Sequence, residues 1–420
     1  MRDREYNKLI HLGESNRNIL DLFCATVLAL CPILQYYIGP FDNMGISILM
    51  IVMPWIALRL VINPKLFRGG IPVVIGLIAF LLYRTFVHEI FLKNIVFNLA
   101  LIVLYVAAIN GRINVRQFLR TSATTAALAS VLVVIQTMIY YLSHKHLQLA
   151  PTSLFTPGAS AWILQAKTGV IGVTQRVGEL YRPSAFFMEP SHMFLYIFPH
   201  LCILLLSPNI NRTRIRWAVL FSLGILLSTS GMGVLVTFGV WGLYYSMSSG
   251  QLNQLRLKNL FKPKNFLLLL LFLVALIGAF IKLPVLRQSA LRFLDRSDAG
   301  AIAGRTRLAK NLLRSLEGKQ LLLGVTSTIQ GLEFNMSGFA ATLYKFGIVG
   351  IILGYWTYIY GVIHLKNAWF WISLIVVIAS FFSAQTHGTF YMIYYVMFIM
   401  EGWNHSQQDK ARAMINGLEG

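Results

Sequence analysis

Residues 181–206 read YRPSAFFMEPSHMFLYIFPHLCILLL, in which Arg182, Glu189 and His192 stand at the edge of a long apolar stretch. As a helix, 190–207 is long enough to cross about 30 Å of hydrocarbon. Charged groups at a membrane boundary are expensive unless something holds them or they hold something. The fold turns on whether this stretch is one membrane span among many. The function turns on what its polar entrance binds.

The rest of the chain answers the first question. Of 420 residues, 56% are hydrophobic and only 12% charged, where a soluble domain carries about a quarter charged residues. The mean hydropathy is +0.65. Apolar runs of span length predict helices at about 19–38, 44–62, 70–84, 93–109, 121–142, 190–207, 215–228, 231–247, 265–283, 336–363, 368–385 and 388–403. The long run 215–247 is broken at Ser228-Thr229-Ser230-Gly231, and 368–403 is broken at Gln385-Thr386-His387-Gly388. The expected fold class is therefore an all-α polytopic membrane protein of about 12 transmembrane helices, one integral domain over 1–420. Cys24, Cys31 and Cys202 sit inside apolar runs and read as small buried hydrophobes, outside any disulfide framework or metal-ligand spacing. The polar, basic first eighteen residues and the span after them read as an uncleaved signal anchor.

The net charge of +21 has a topological explanation and does not call for nucleic acid as a partner. Arg2, Arg4, Lys8 and Arg17 precede the first span. Alternate connections carry Lys65 and Arg68; Arg112, Arg116 and Arg120; Arg212, Arg214 and Arg216; Arg256, Lys258, Lys262 and Lys264; and Lys366. With Lys410 and Arg412 in the tail, 19 of the 36 basic residues fall on one side, which the positive-inside rule makes cytoplasmic. Both termini are then expected inside. The short connections on the other side contribute only Arg84 and Lys93.

Two long outer loops, about 143–189 and 284–335, break that pattern. The first carries Lys145, Lys167, Arg176 and Arg182; the second carries Arg287, Arg292, Arg296, Arg305, Arg307, Lys310, Arg314 and Lys319. Long loops translocate regardless of charge, which is the bland reading. The alternative is that they bind an anion outside the bilayer, since Arg makes forked contacts to phosphate. In the second loop, Leu308, Leu312 and Leu316 share one helical face of 304–317, a pattern that suits an interfacial helix or an ordinary helix packed on its loop.

Pro190 suits the first turn of a helix, where a missing N–H is no loss. The sixth span then presents its N-terminal partial positive charge to the outer side, with Glu189 at its entrance and His192 three residues on, on the same face. Arg176 and Arg182 approach from the loop. Transfer of a sugar from a lipid pyrophosphate to a hydroxyl needs cations for the leaving group and a base for the incoming hydroxyl. The outer side has no His-x-His, Asp-x-Asp or Cys pair, so the expectation is metal-independent and cofactor-free, with arginines stabilising the pyrophosphate. Glu189 is the candidate base, against a salt bridge to Arg182 that only fixes the loop. His192 is the second candidate, against a packed or capping histidine. Tyr181, Arg307 and His387 are possible further members, and His200, beside Pro199, reads as structural.

YRPSAFF-MEPSHMFLY resembles the Arg-Pro…Phe…Glu-Pro signature that opens a mid-chain span in Wzy-type bacterial polysaccharide polymerases. LLSTSGMGVLVTF resembles their Leu-Ser-x-Ser hairpin. GRTRL in the second outer loop and SGFAATLYKFGIVGIILGY at the tenth span complete the order over residues 120–365. The resemblance implies a GT-C-type glycosyltransferase fold related to O-antigen ligases. It implies joining of undecaprenyl-pyrophosphate-linked repeat units, donor and acceptor, on the periplasmic or extracellular face of the bacterial plasma membrane, alongside a flippase and a chain-length regulator. It assigns pyrophosphate binding to Arg176, Arg182, Arg292, Arg296 and Arg305. Two departures stand out: Glu333-Phe334-Asn335-Met336 replaces the His-Asn pair usual in the ligases, and Gly231 follows the second hairpin Ser where many relatives carry Arg. The expected reaction is inverting polymerisation with release of undecaprenyl pyrophosphate. The rivals are a ligase or protein O-oligosaccharyltransferase of the same fold and, from another class, a lipid-linked glycan transporter or flippase.

Overall fold

A computed structural model describes residues 19–62, 71–87, 92–110, 112–145, 147, 149, 154–156, 181–207, 212–247, 267, 274, 278, 310–325, 338–382 and 390–416. The chain is overwhelmingly helical: α1 (Ile19–Leu34), α2 (Met44–Ile62), α3 (Ile71–Val87), α4 (Leu92–Ile109), α5 (Val115–Ser143), α6 (Pro190–Leu206), α7 (Arg212–Leu227), α8 (Gly231–Met247), α9 (Gly318–Leu323), α10 (Gly338–His364), α11 (Asn367–Phe382) and α12 (Phe390–Asn416). A two-residue antiparallel ribbon, Ile38–Gly39 with Asp42–Asn43, links α1 to α2. By length and composition Met44–Ile62, Val115–Ser143 and Gly338–His364 can cross a membrane, and shorter apolar helices accompany them. An all-α membrane protein fits that content. The predicted ninth span, 265–283, lies outside the described residues except Leu267, Val274 and Gly278, which are helical.

Helices α6 and α12 form the centre. From His192 to Cys202, and from Phe390 to Met400, every residue is buried, as expected of helices enclosed by other helices on all sides. Helix α6 packs on α7, α8 and α11, while α12 touches α1, α4 and α11. Apolar burial does not by itself fix the pair, because α6 carries an internal proline. Pro199 has no N–H for the carbonyl four residues back. That carbonyl is Leu195 O, and it accepts the Tyr395 hydroxyl at 2.8 Å. Two more α12 hydroxyls do the same along the helix: Tyr391 to His192 O at 2.8 Å and Tyr394 to Tyr196 O at 2.8 Å. Tyr196 in turn donates to Ala29 O on α1 at 2.8 Å. His200 Nε2 lies 3.1 Å from the Tyr394 hydroxyl. Since that hydroxyl spends its proton on Tyr196 O, the imidazole donates through Nε2. The structural reading of His200 therefore has a definite partner.

Three departures from the hydropathy pattern have a visible physical cause. Helix α5 begins at Val115 rather than near 121, because Asn114 caps it by accepting the Gln117 N–H at 2.9 Å. Helix α12 runs on to Asn416, well past the apolar run that ends near 403; its polar continuation has no Gly or Pro to stop it before Gly417. The span expected at 336–363 is broken at Gly347, whose φ of 64° is left-handed. Tyr83 of α3 holds the break by donating to Leu323 O at 2.8 Å and Phe346 O at 2.9 Å. A Cβ at Gly347 would meet the Leu322 carbonyl, so only glycine fits there.

At the end of the bundle formed by the start of α1 and the end of α2, Asp21 and Arg59 form an ion pair at 3.0 Å, and Trp55 Nε1 donates to Asp21 at 2.8 Å. Cys24, Cys31 and Cys202 are buried free thiols, as their apolar surroundings predicted.

If Tyr395 stands in for the donor that Pro199 lacks, Tyr395→Phe destabilises the protein by about 1–3 kcal/mol, measured by denaturant unfolding in micelles. With Pro199→Ala, residue 199 regains an N–H, and the same Tyr395→Phe change then has an effect smaller by at least about 1 kcal/mol. Equal effects in the two backgrounds would show that the hydroxyl is not compensating for the proline.

Candidate functional site

The Arg182–Glu189 segment folds before α6 begins. Ser184 and Phe187 close a turn, with the Phe187 N–H donating to Ser184 O at 2.9 Å and Ser184 Oγ donating to Phe187 O at 2.9 Å. Ala185 inside it has a φ of 53°, a left-handed conformation that disfavours a side chain with Cβ by roughly 1–2 kcal/mol. Gln136 of α5 holds the turn in place. Its Oε1 accepts the Ala185 N–H at 2.9 Å, and its Nε2 donates to Leu147 O at 2.9 Å. Gln136 is buried, and a buried primary amide satisfied on both its N and O sides is a strong positional constraint. Phe187 anchors the turn by packing its ring 5.4 Å from that of Tyr196.

Glu189 occupies the N-cap of α6 in extended conformation, with Pro190 next. Its side chain does not cap the helix; Oε2 accepts the Ser191 hydroxyl at 2.7 Å. The Glu189 carbonyl takes the N–H groups of both His192 (3.1 Å) and Met193 (3.2 Å). Pro190 has no donor and that of His192 is used, so this end offers an incoming anion fewer backbone donors than a helix start normally would.

His192 is only 2% exposed. Its ring lies parallel to Tyr36, with centroids 4.6 Å apart and planes within 4°, and Tyr391 stands 6.3 Å away on another side. Tyr36 comes from the turn that follows α1. The same turn supplies Tyr37, whose hydroxyl donates to Phe186 O at 2.6 Å. The backbone of Tyr36 accepts the Thr156 N–H at 3.0 Å, and Phe155 bridges to Tyr37, so a piece of the loop that joins α5 to α6 folds against the site. Gln35 Oε1 accepts the Phe390 N–H at 3.3 Å and brings in the start of α12. The site is thus assembled from α1, α5, α6, α12 and two pieces of the loop.

The phenols here hold their protons firmly. Burial, and after it the negative charge of Glu189, push Tyr36 well above the usual phenol range. Burial pushes Tyr37 up to about 12. Tyr181, stacked on Tyr140 at 4.1 Å and 12°, is likewise pushed up to about 12 by burial and by Tyr140. Around neutral pH they act only as neutral hydrogen-bond groups. A half-buried carboxylate among hydroxyls and an imidazole can take a proton from an alcohol and stabilise its neighbours.

Of the residues singled out in the sequence, Tyr181, Arg182, Glu189 and His192 belong to this end of the bundle, and Arg182 is half-buried. Arg176, Arg292, Arg296, Arg305, Arg307 and His387 lie outside the described residues. The sequence reading passed over Tyr36, Tyr37, Gln136, Ser191 and Tyr391. Gln136 alone left a signal, as a single amide inside the apolar run VLVVIQTMIYY. Of the hairpin motif, Ser228, Thr229 and Ser230 are buried at the turn between α7 and α8; a Cβ on Gly233 just after them would lie 3.2 Å from the Phe194 ring. Among the described residues no group of three His, Cys, Asp or Glu side chains is arranged to hold a metal ion. Compared with family models, with curated proteins and with solved structures, the chain matches none.

Tyr37 gives this site a pH signature. Its folded pKa of about 12 is above the ordinary 10.0, so the unfolded chain loses that proton first, and its stabilising effect is present below pH 10 and lost as pH rises toward 12. Tyr37→Phe removes the bond to Phe186 O and lowers stability by about 1 kcal/mol at pH 8. The difference between the variant and the original protein narrows above pH 10 when thermal unfolding is followed against pH. A difference that stays constant up to pH 12 contradicts this account of the bond.

Proposed function

We propose that the protein is a polysaccharide polymerase of the plasma membrane, joining lipid-pyrophosphate-linked repeat units at the Glu189 end of the bundle. The observation that carries the reading is Glu189 itself: a half-buried carboxylate, hydrogen-bonded to Ser191 and close enough to Tyr36 to raise its phenol, at the mouth of α6. The resemblance of 181–196, 226–238, 304–308 and 337–355 to Wzy-type polymerases supports it, as does the run of basic residues along the two outer loops. About 12 spans, both termini in the cytoplasm and a GT-C-type architecture complete the proposal, with the positive-inside count as their support.

In this reading Glu189 takes the proton of the acceptor hydroxyl as that oxygen attacks the anomeric carbon of the donor sugar. The bond to the pyrophosphate oxygen breaks in the same displacement, the configuration inverts, and undecaprenyl pyrophosphate leaves with the electron pair. Arg182, with the loop arginines, neutralises the charge that develops on the leaving group. His192, stacked on Tyr36 and accepting the Tyr391 hydroxyl at its carbonyl, holds the first turn of α6 in register with the carboxylate; that is a positioning role.

The test is a gel ladder of lipid-linked glycan from cells that lack the gene and are complemented with each variant. Glu189→Gln keeps the shape and the Ser191 contact but cannot accept a proton, and chain extension falls by about 10²–10⁴-fold. Arg182→Ala leaves mostly single repeat units. Normal ladders from Glu189→Gln protein that reaches the membrane in ordinary amounts would remove the carboxylate from the mechanism. Absence of even single units outside cells lacking the protein points instead to a transporter, and complete single-chain product that never reaches its final acceptor points to a ligase.

A further inference from the structure

At the end of the bundle opposite Glu189, a cavity of about 970 Å³ opens between α5, α6, α7, α11 and α12. Arg120 on its rim lies sixteen residues before Gln136, which is roughly 24 Å along α5 from the Glu189 site. The cavity is therefore separate from that site. Its lining is divided by chemistry. Arg120, Arg214 and Lys366 supply three basic side chains from three different segments, against a single carboxylate, Glu401. That carboxylate is already paired with His405 at 3.3 Å. Deeper in, Ile203, Leu204 and Phe221 form an apolar floor.

The cations recur at helical spacing with that floor. Arg120 shares a face of α5 with Ala123 and Ala127, whose small side chains leave the space open. Arg214 shares a face of α7 with Trp217 and Phe221. Trp217 is 46% exposed, and Trp369 lines the opposite wall. Tryptophan with an apolar ring and one N–H donor settles at the headgroup level of a bilayer. A positive rim, tryptophans at headgroup depth and an apolar floor below describe an amphiphile with a negative head. The volume is far larger than a lone inorganic anion needs.

We propose that this cavity is a binding site for an anionic phospholipid, with the phosphodiester held by Arg120, Arg214 and Lys366 and the start of the acyl chains laid on Ile203, Leu204 and Phe221. Basic pockets between membrane helices take phosphate headgroups for this reason: each cation near the surface strengthens the attraction, and guanidinium groups fork onto phosphate oxygens. The site ties five helices together at the end where α6 and α12 are no longer joined by tyrosine hydroxyls.

The experiment is native mass spectrometry of the full chain in detergent, equilibrated with equimolar phosphatidylglycerol and phosphatidylcholine. The original protein retains phosphatidylglycerol over phosphatidylcholine by about tenfold or more, and the exposed-residue double variant R120Q/K366Q lowers phosphatidylglycerol retention by about tenfold. The control R116Q/R216Q removes two cations at the same end that do not line the cavity, and it leaves retention unchanged. Equal retention of the two lipids overturns the proposal. So does an equal loss in both double variants, which would mean that net charge, not this cavity, attracts the lipid. Displacement of phosphatidylglycerol by millimolar inorganic phosphate would also overturn it, by making this a site for a free anion.

Discussion

Everything central to the fold depends on a carbonyl that has lost its donor. Pro199 deprives Leu195 O of its helical partner, and in a region without water an unsatisfied carbonyl is worth several kcal/mol against the fold. The hydroxyl of Tyr395 meets it, and Tyr391 and Tyr394 reach α6 carbonyls on either side of the same stretch. Hydrocarbon contact alone lets two apolar helices slide and rotate, because the lipid chains are as apolar as the partner. Three directional bonds spaced over Tyr391–Tyr395 do not allow that. They fix both the rotation and the axial register of α12 against α6, and Tyr196 carries the register on to α1 through Ala29 O.

That register also sets the Glu189 end. With α12 locked, its first residue Phe390 comes level with Gln35, and Tyr391 lies beside His192. With α1 locked through Tyr196, the turn after it delivers Tyr36 onto the His192 ring and Tyr37 onto the Phe186 carbonyl. Gln136 fixes the remaining element from α5, bonding the strained Ala185 turn on one side and the Leu147 carbonyl on the other. The carboxylate of Glu189 therefore rests in a frame whose every wall is tied by hydrogen bonds to a different helix. Such a frame fixes the orientation of the carboxylate in advance of any ligand.

Among the described residues, the two ends of the bundle carry different charges. One has a carboxylate among phenols and an imidazole. The other has the compensated Asp21–Arg59 pair and a cavity with three cations. The Asp21–Arg59 pair is instructive because both charges fall inside the predicted spans 19–38 and 44–62. Pairing an aspartate in the first turn of α1 with an arginine in the last turn of α2 neutralises both, and Trp55 completes the acceptor. They stand thirty-eight positions apart, and nothing local in the sequence indicates the contact.

The sequence by itself determined the helical spans: hydropathy located 44–62 and 231–247 to the residue, and the polar break at Ser228–Gly231 separated α7 from α8. It also determined that Glu189 would open α6, because Pro190 suits a first helical turn and little else in a helix. These are local matters of transfer free energy and backbone stereochemistry, which a window of twenty residues contains. The tertiary structure decided the Asn114 start of α5, the break at Gly347 and the long continuation of α12, each set by a cap or by a neighbour and not by apolarity. It alone decided that Gln136, Tyr36, Tyr37 and Tyr391 surround Glu189 and His192. Those contacts join residues 49 to 199 positions apart, and their directional hydrogen bonds follow from how helices are rotated against one another, which composition and periodicity do not encode.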